Sequence, residues 1–135
     1  MKREDQMQTV RDIMTTIVQT IHRDTIICEA ENLFVAHNIS GAPLTDDLGR
    51  LVGFVSKSDI IRFGATGDDP NYVKVFEIAS PIIITIIPTA SIEEAARKML
   101  DKYLHHLIVM EEEALVGVLS AFDFVKLVAR NTGKD

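Results

Sequence analysis

Apolar and polar positions along this chain fall into short blocks whose period alternates between that of a strand and that of a helix. Ile17 to Ile21 is a β-rich segment bounded by polar residues, and Ile26, Ala30, Leu33, Phe34 and His37 then mark one face of a helix. Ala42 to Thr45 and Leu51 to Val55 read as two strands joined by the turn-forming string Asp46-Asp47-Leu48-Gly49, and Ser58 to Phe63 as a short closing helix. The same succession follows again. Ile82 to Ile87 lies between two prolines, and Ile92, Ala95, Ala96, Met99, Leu100 and Tyr103 trace a helical stripe whose start carries the capping-box pair Ser91 and Glu94. Leu107 to Met110 and Leu115 to Leu119 flank a solvated Glu111-Glu112-Glu113 turn, and Phe122 to Val128 closes the block.

The succession repeats residue by residue. Val10, Ile13, Thr20, Ile21, Ile27, Glu29 and Ala30 recur 65 positions later as Val75, Ile78, Thr85, Ile86, Ile92, Glu94 and Ala95. After a turn one residue shorter, Leu51, Val52, Gly53, Ser56 and Asp59 recur at a spacing of 64 as Leu115, Val116, Gly117, Ser120 and Asp123. The chain therefore reads as two β-α-β-β-α halves of an α/β (α+β) fold, residues 9–64 and 74–130, joined by a breaker-rich linker at 65–73. Neither half is large enough to be comfortably stable alone, so the apolar sheet faces are expected to pack together.

Charge and cysteine content narrow the function classes. A formal charge of -6 excludes a broad phosphate-backbone footprint, so nucleic acid is not expected as a main partner, although a few basic groups can hold one local anion. Cys28, the single cysteine, permits neither an intrachain disulfide nor a thiolate cluster, which fits a reducing cytoplasm. No apolar run approaches the length of a membrane helix, and no secretory leader is visible at the N-terminus. Walker loops, dinucleotide fingerprints, His-Glu-x-x-His and nucleophile elbows are all missing, so no enzyme or catalytic residue is expected.

The chemistry concentrates in the repeated string Gly53-Phe54-Val55-Ser56-Lys57-Ser58-Asp59 and its counterpart Gly117-Val118-Leu119-Ser120-Ala121-Phe122-Asp123. In one reading the serines cap the closing helices and the aspartates sit in their first turns. In the other, the helix N-terminus faces an anion while the carboxylate accepts hydrogen bonds from ribose hydroxyls. Both can hold together. With Ile39-Ser40-Gly41-Ala42-Pro43-Leu44 before the first string and Arg11-Asp12-Ile13-Met14-Thr15 at its opening, the chain resembles a tandem pair of CBS (cystathionine-beta-synthase) domains from Thr9 to about Ala129.

That resemblance implies a regulatory module whose two repeats pack sheet to sheet with pseudo-twofold symmetry and bind AMP, ADP, ATP or S-adenosylmethionine in clefts between them. Carried over, it implies that Asp59 holds ribose, that Ser56 and Lys57 lie near phosphate, and that Thr25 and Ala30 flank the base beside Ser40, Gly41 and Ala42. His105 and His106 would reach the same phosphate from the other repeat. The equivalent cleft, with Ala95, Leu107, Ser120 and Asp123, has Ala121 in place of Lys57 and is expected to be weaker toward phosphate. A histidine pair without a third ligand gives no metal site, and His22 and His37 read as ordinary. The implied function is an adenosine-nucleotide sensor that forms a homodimer and signals to a separate client protein. The alternative is a ligand-free scaffold acting by oligomerisation or client binding, and apolar helix ends near Phe63 and Phe124 to Val128 favour self-association.

Overall fold

The computed structural model describes residues 8–16 and 18–132. A single turn of helix, α1 (Val10–Ile13), is followed by β1 (Ile21–His22), α2 (Ile27–His37), β2 (Gly41–Thr45), β3 (Leu51–Ser56) and α3 (Lys57–Gly64). A 3-10 turn at Val75–Glu77 then leads to β4 (Thr85–Ile86), α4 (Ile92–Lys102), β5 (His106–Glu111), β6 (Ala114–Ser120) and α5 (Ala121–Thr132). Each half contributes one three-stranded sheet, β1-β2-β3 or β4-β5-β6, in which the first pair is parallel and the second antiparallel. The mixed α/β architecture and the β-α-β-β-α order are as the periodicity anticipates.

The compact units, however, are not the two halves. One comprises Gln19–Ile83, and the other joins the segment ending at Val18 to everything from Ile84 onward. Each half thus lends its opening turn to the other half's sheet. In the first unit Val75 N–H donates to the Thr25 carbonyl at 2.7 Å, and Phe54 and Ser80 exchange two backbone bonds of 3.0 Å. In the second, Val10 N–H donates to the Ala90 carbonyl at 2.9 Å, while Thr15 and Val118 exchange bonds of 2.9 and 3.0 Å. Val75 and Val10, both fully buried, anchor the two exchanged segments in their respective cores.

This exchange explains the glycine in each repeated string. A Cβ on Gly53 would stand 2.9 Å from the Ser80 carbonyl oxygen, and one on Gly117 would stand 2.6 Å from Met14 Sδ and 3.0 Å from the Thr15 carbonyl oxygen. Only a residue without a side chain lets the borrowed backbone lie so close.

Several local expectations are corrected. The first strand of each half is shorter than its apolar run: only Ile21–His22 and Thr85–Ile86 pair with β2 and β5, because these are the residues that reach a parallel neighbour. Ile17 lies outside the described residues. In the first helix Ile27 replaces Ile26 on the buried face; Ile26 is the N-cap, and His37 is exposed. At α4 the capping box is half formed, since Ser91 Oγ accepts from Glu94 N–H at 3.0 Å and no return bond from Glu94 is present. Phe63 and Leu127 are buried rather than exposed; the apolar residues that face outward on α3 and α5 are Ile61, Phe122, Val125 and Val128.

Candidate functional site

In the Gln19–Ile83 unit, five of the sequence-nominated residues converge where β3 ends and α3 begins. Gly41 pairs with Ser56 across the antiparallel ladder, and the Ser40 carbonyl accepts Lys57 N–H at 2.8 Å, so the start of β2 and the start of α3 share one end of the sheet. Ser56 is the N-cap in extended conformation. Its Oγ accepts from Asp59 N–H at 3.2 Å, while Asp59 Oδ2 accepts from Ser56 N–H at 2.8 Å, a reciprocal box that fixes the carboxylate on the helix N-terminus. Asp59 Oδ1 is met by Arg62 one turn on. Lys57 is exposed, and its ammonium has no ion-pair partner among the described residues. The capping reading of the string is therefore correct as far as it goes, and it leaves an ordered carboxylate beside an uncommitted cation.

Other nominated residues of this unit lie elsewhere. Thr25 follows Arg23, whose N–H donates to the Thr45 carbonyl, so Thr25 sits by the β2–β3 turn, roughly 13 Å along the strand from Gly41. Ala30 and Ala42 are fully buried in this unit's core and present no surface to a ligand.

The second unit repeats the construction with different chemistry. His106 pairs with Ser120, and the His105 carbonyl accepts Ala121 N–H at 2.9 Å. Asp123 Oδ2 accepts from Ser120 N–H at 2.8 Å and from Ser120 Oγ at 3.3 Å, and Lys126 lies 3.4 Å from Oδ1. Asp123 is only 3% exposed, and Ala95 and Leu107 are fully buried core residues. Burial pushes the His106 imidazole down to about 4, the neighbouring His105 adding to the fall and Asp123 opposing it. At neutral pH the His106 imidazole is thus uncharged, so any contact it makes with a phosphate is a hydrogen bond and not an ion pair. Lys57 belongs to one unit and the two histidines to the other.

One feature escaped the sequence. Beside the β2–β3 turn, the Gln19–Ile83 unit carries a cavity of about 730 Å³ lined by Arg23, Asp24, Asp47, Arg50, Lys74 and Phe76 among others. Arg23 stacks on Phe76 with its guanidinium carbon 4.3 Å from the ring centre, and Lys74 lies 3.7 Å from Asp24. His22, Asp24 and Asp47 place potential ligand atoms within 4.8 Å of one another. Yet His22 Nδ1 accepts Asp24 N–H at 3.0 Å, so the proton sits on Nε2 and points at Asp47 Oδ1, 2.7 Å away. A metal on Nε2 would force a proton onto Nδ1 against a backbone donor, so the cluster acts as a clamp on the turn. Nothing in the spacing of His22 and Asp47 along the chain announces this contact.

Comparison with known proteins now fixes the class. The sequence profile of the CBS domain matches residues 10–65 and 75–130, and the chain belongs to that family as a tandem pair. Hypoxic response protein 1 of Mycobacterium tuberculosis is 31% identical over 121 residues, covering 89% of this chain and 85% of its own length. A crystal structure of hypoxic response protein I with two coordinated zinc ions superposes with a TM-score of 0.75 at 30% identity, covering 88% and 98% of the two chains. The CBS domain pair of protein MJ0100, in complex with 5'-methylthioadenosine and S-adenosyl-L-methionine, gives 0.83 at 27% identity with 96% and 99% covered. The protein CBSX2 in complex with AMP gives 0.77 at 26% identity with 93% and 98% covered. Some relatives are longer: the chain spans 43% of a Methanocaldococcus jannaschii protein to which it is 31% identical over 121 residues. Among the described residues no helix is long and apolar enough to cross a membrane.

Proposed function

We propose that this CBS pair is a regulatory module that binds an adenosine ligand, AMP, ADP, ATP or S-adenosylmethionine, and transmits its occupancy to a separate client protein in the cytoplasm, without catalysing a reaction. The observation that carries this reading is the ordered Asp59 carboxylate beside the unpaired Lys57 ammonium at the mouth of α3. A carboxylate locked onto a helix N-terminus is oriented to accept from vicinal hydroxyls, while the exposed lysine is placed for a phosphate. Ser40, Gly41 and Ser56 supply the backbone around them. Structures of the same fold that hold AMP, or 5'-methylthioadenosine and S-adenosyl-L-methionine, support the ligand class. The site on Asp123, buried and without a lysine at position 121, suits an uncharged nucleoside better than a nucleotide.

Signalling follows from differential affinity: the ligand can bias two arrangements of the module only by binding one of them better. The outward Phe122 and Val125 on α5 offer an apolar surface for a symmetric homodimer. Calorimetric titration of AMP and 2′-deoxy-AMP into wild type and Asp59→Ala, on protein sized by light scattering, tests both readings. Asp59→Ala should weaken AMP by about 1.5–3 kcal/mol, tenfold or more, and cost the fold about 1 kcal/mol through the lost cap. AMP and its 2′-deoxy form binding equally well, with or without the carboxylate, would remove Asp59 as the ribose acceptor, and no binding of either would leave the scaffold reading instead. A strictly 15 kDa species at micromolar concentration would remove the dimer.

A further inference from the structure

The Asp59 carboxylate already has partners within its own segment. Its two oxygens are held by partners of different mobility: Oδ2 by the Ser56 backbone N–H at 2.8 Å, which cannot move without unwinding α3, and Oδ1 by the Arg62 guanidinium. The Asp59 side chain is 12% exposed and that of Arg62 is 72% exposed, so the cation is the partner free to swing away. We propose that Arg62 is a displaceable latch on Asp59: an adenosine ligand takes over Oδ1, and the released guanidinium changes the charge on the outer face of α3. This rests on the reading of Asp59 as the ribose acceptor.

The magnitudes allow it. An exposed ion pair one helical turn apart is worth about twofold in an equilibrium constant, whereas two hydrogen bonds from hydroxyls to a carboxylate are worth tenfold or more. The ribose wins, and the latch lowers affinity only slightly. The other unit carries the same device independently, with Lys126 3.4 Å from Asp123 at the equivalent position. There the displaced ammonium has a resting place, because it already lies 5.6 Å from the Phe122 ring centre. In the first unit the position of Phe122 is taken by Ser58, so a displaced Arg62 goes to solvent beside Ile61, which is 68% exposed. Ligand occupancy is thereby written onto an exposed apolar surface within a single helix.

Adenosine itself is the probe, because an uncharged ligand has no salt dependence of its own; any it shows reports the ion pair it must break. In wild type, adenosine should bind about twofold tighter when salt rises from about 20 mM to about 300 mM, as screening weakens the latch. Arg62→Gln should bind with the high-salt affinity under both conditions. The Arg62 guanidinium N–H signals should shift on adenosine addition in wild type and not in Asp59→Asn. Adenosine binding that at low salt is weaker or unchanged in Arg62→Gln, or independent of salt in wild type, overturns the latch while the ribose reading stands. Adenosine binding to no variant, or binding untouched by Asp59→Asn, overturns both.

Discussion

The two units solve the same construction problem with different residues. Both place an aspartate on the N-terminus of their last helix and close it with the backbone N–H three residues earlier, yet the Asp59 side chain keeps 12% exposure and the Asp123 side chain 4%. Lys57 accompanies the first and Ala121 the second; Ser40-Gly41 lies across the ladder from one, His105-His106 from the other. The aspartate is thus maintained by capping whether or not a ligand uses it. On the proposed reading, what separates a site for a nucleotide from one for an uncharged nucleoside is the company the carboxylate keeps.

The likeness is closest under the borrowed segments. A Cβ on Gly53 meets the Ser80 carbonyl oxygen at 2.9 Å and one on Gly117 meets the Thr15 carbonyl oxygen at 3.0 Å, each bound into a reciprocal backbone pair; the Met14 thioether, 2.6 Å from Gly117, is flexible and can swing aside. Gly53→Ala and Gly117→Ala should therefore each cost about 2–3 kcal/mol, read from urea midpoints at unchanged slope. A much smaller cost at Gly117 would show that the Thr15 segment yields where the Ser80 segment does not.

A second asymmetry is electrostatic. Position 106 carries a half-buried imidazole, and its equivalent, Gly41, carries nothing to titrate. The unfolded chain binds a proton near pH 6.5, whereas folded His106 resists until about 4. Between those values the unfolded state holds more protons, so the stability contribution is complete above pH 6.5 and is lost as pH falls through the window. The loss from pH 7 to pH 5 should be about 2 kcal/mol. His106→Gln should remove that part of the slope and leave the carboxylate titrations below it; an unaltered slope would place the acid sensitivity elsewhere.

Much of this was legible in the sequence, for a physical reason: strand and helix periods depend on neighbours a few residues away. The spacing of 65 and 64, the two hairpins and the Ser-x-x-Asp caps all follow from local pattern. The exchange of opening segments did not. Val10 and Val75 recur at the right spacing whichever sheet they cover, so the periodicity that reveals the repeat is silent about the partner. The burial of Ala30, Ala42, Ala95 and Leu107 escaped for a related reason, since small and apolar residues near a motif read equally well as lining or as core.

The smallest predicted difference lies at the two equivalent helix ends. Helix α2 stops at Asn38 with φ 52° and ψ 49°, and α4 stops at Tyr103 with φ 56° and ψ 46°. Both ends are stapled alike, by Ile39 N–H to the Phe34 carbonyl at 3.1 Å and by Leu104 N–H to the Met99 carbonyl at 2.9 Å. Left-handed backbone suits asparagine, whose short polar side chain tolerates it, and strains a tyrosine by crowding Cβ against the peptide. Tyr103 recovers nothing by packing, since it is 91% exposed. Tyr103→Asn should therefore raise stability by about 0.5–1 kcal/mol, and Asn38→Tyr should lower it by a similar amount. Neither change touches Asp59 or Lys57, so adenosine affinity should stay the same in both. A Tyr103→Asn variant that melts lower than wild type would mean that the tyrosine ring is covered in solution, and the end of α4 would then be a contact surface.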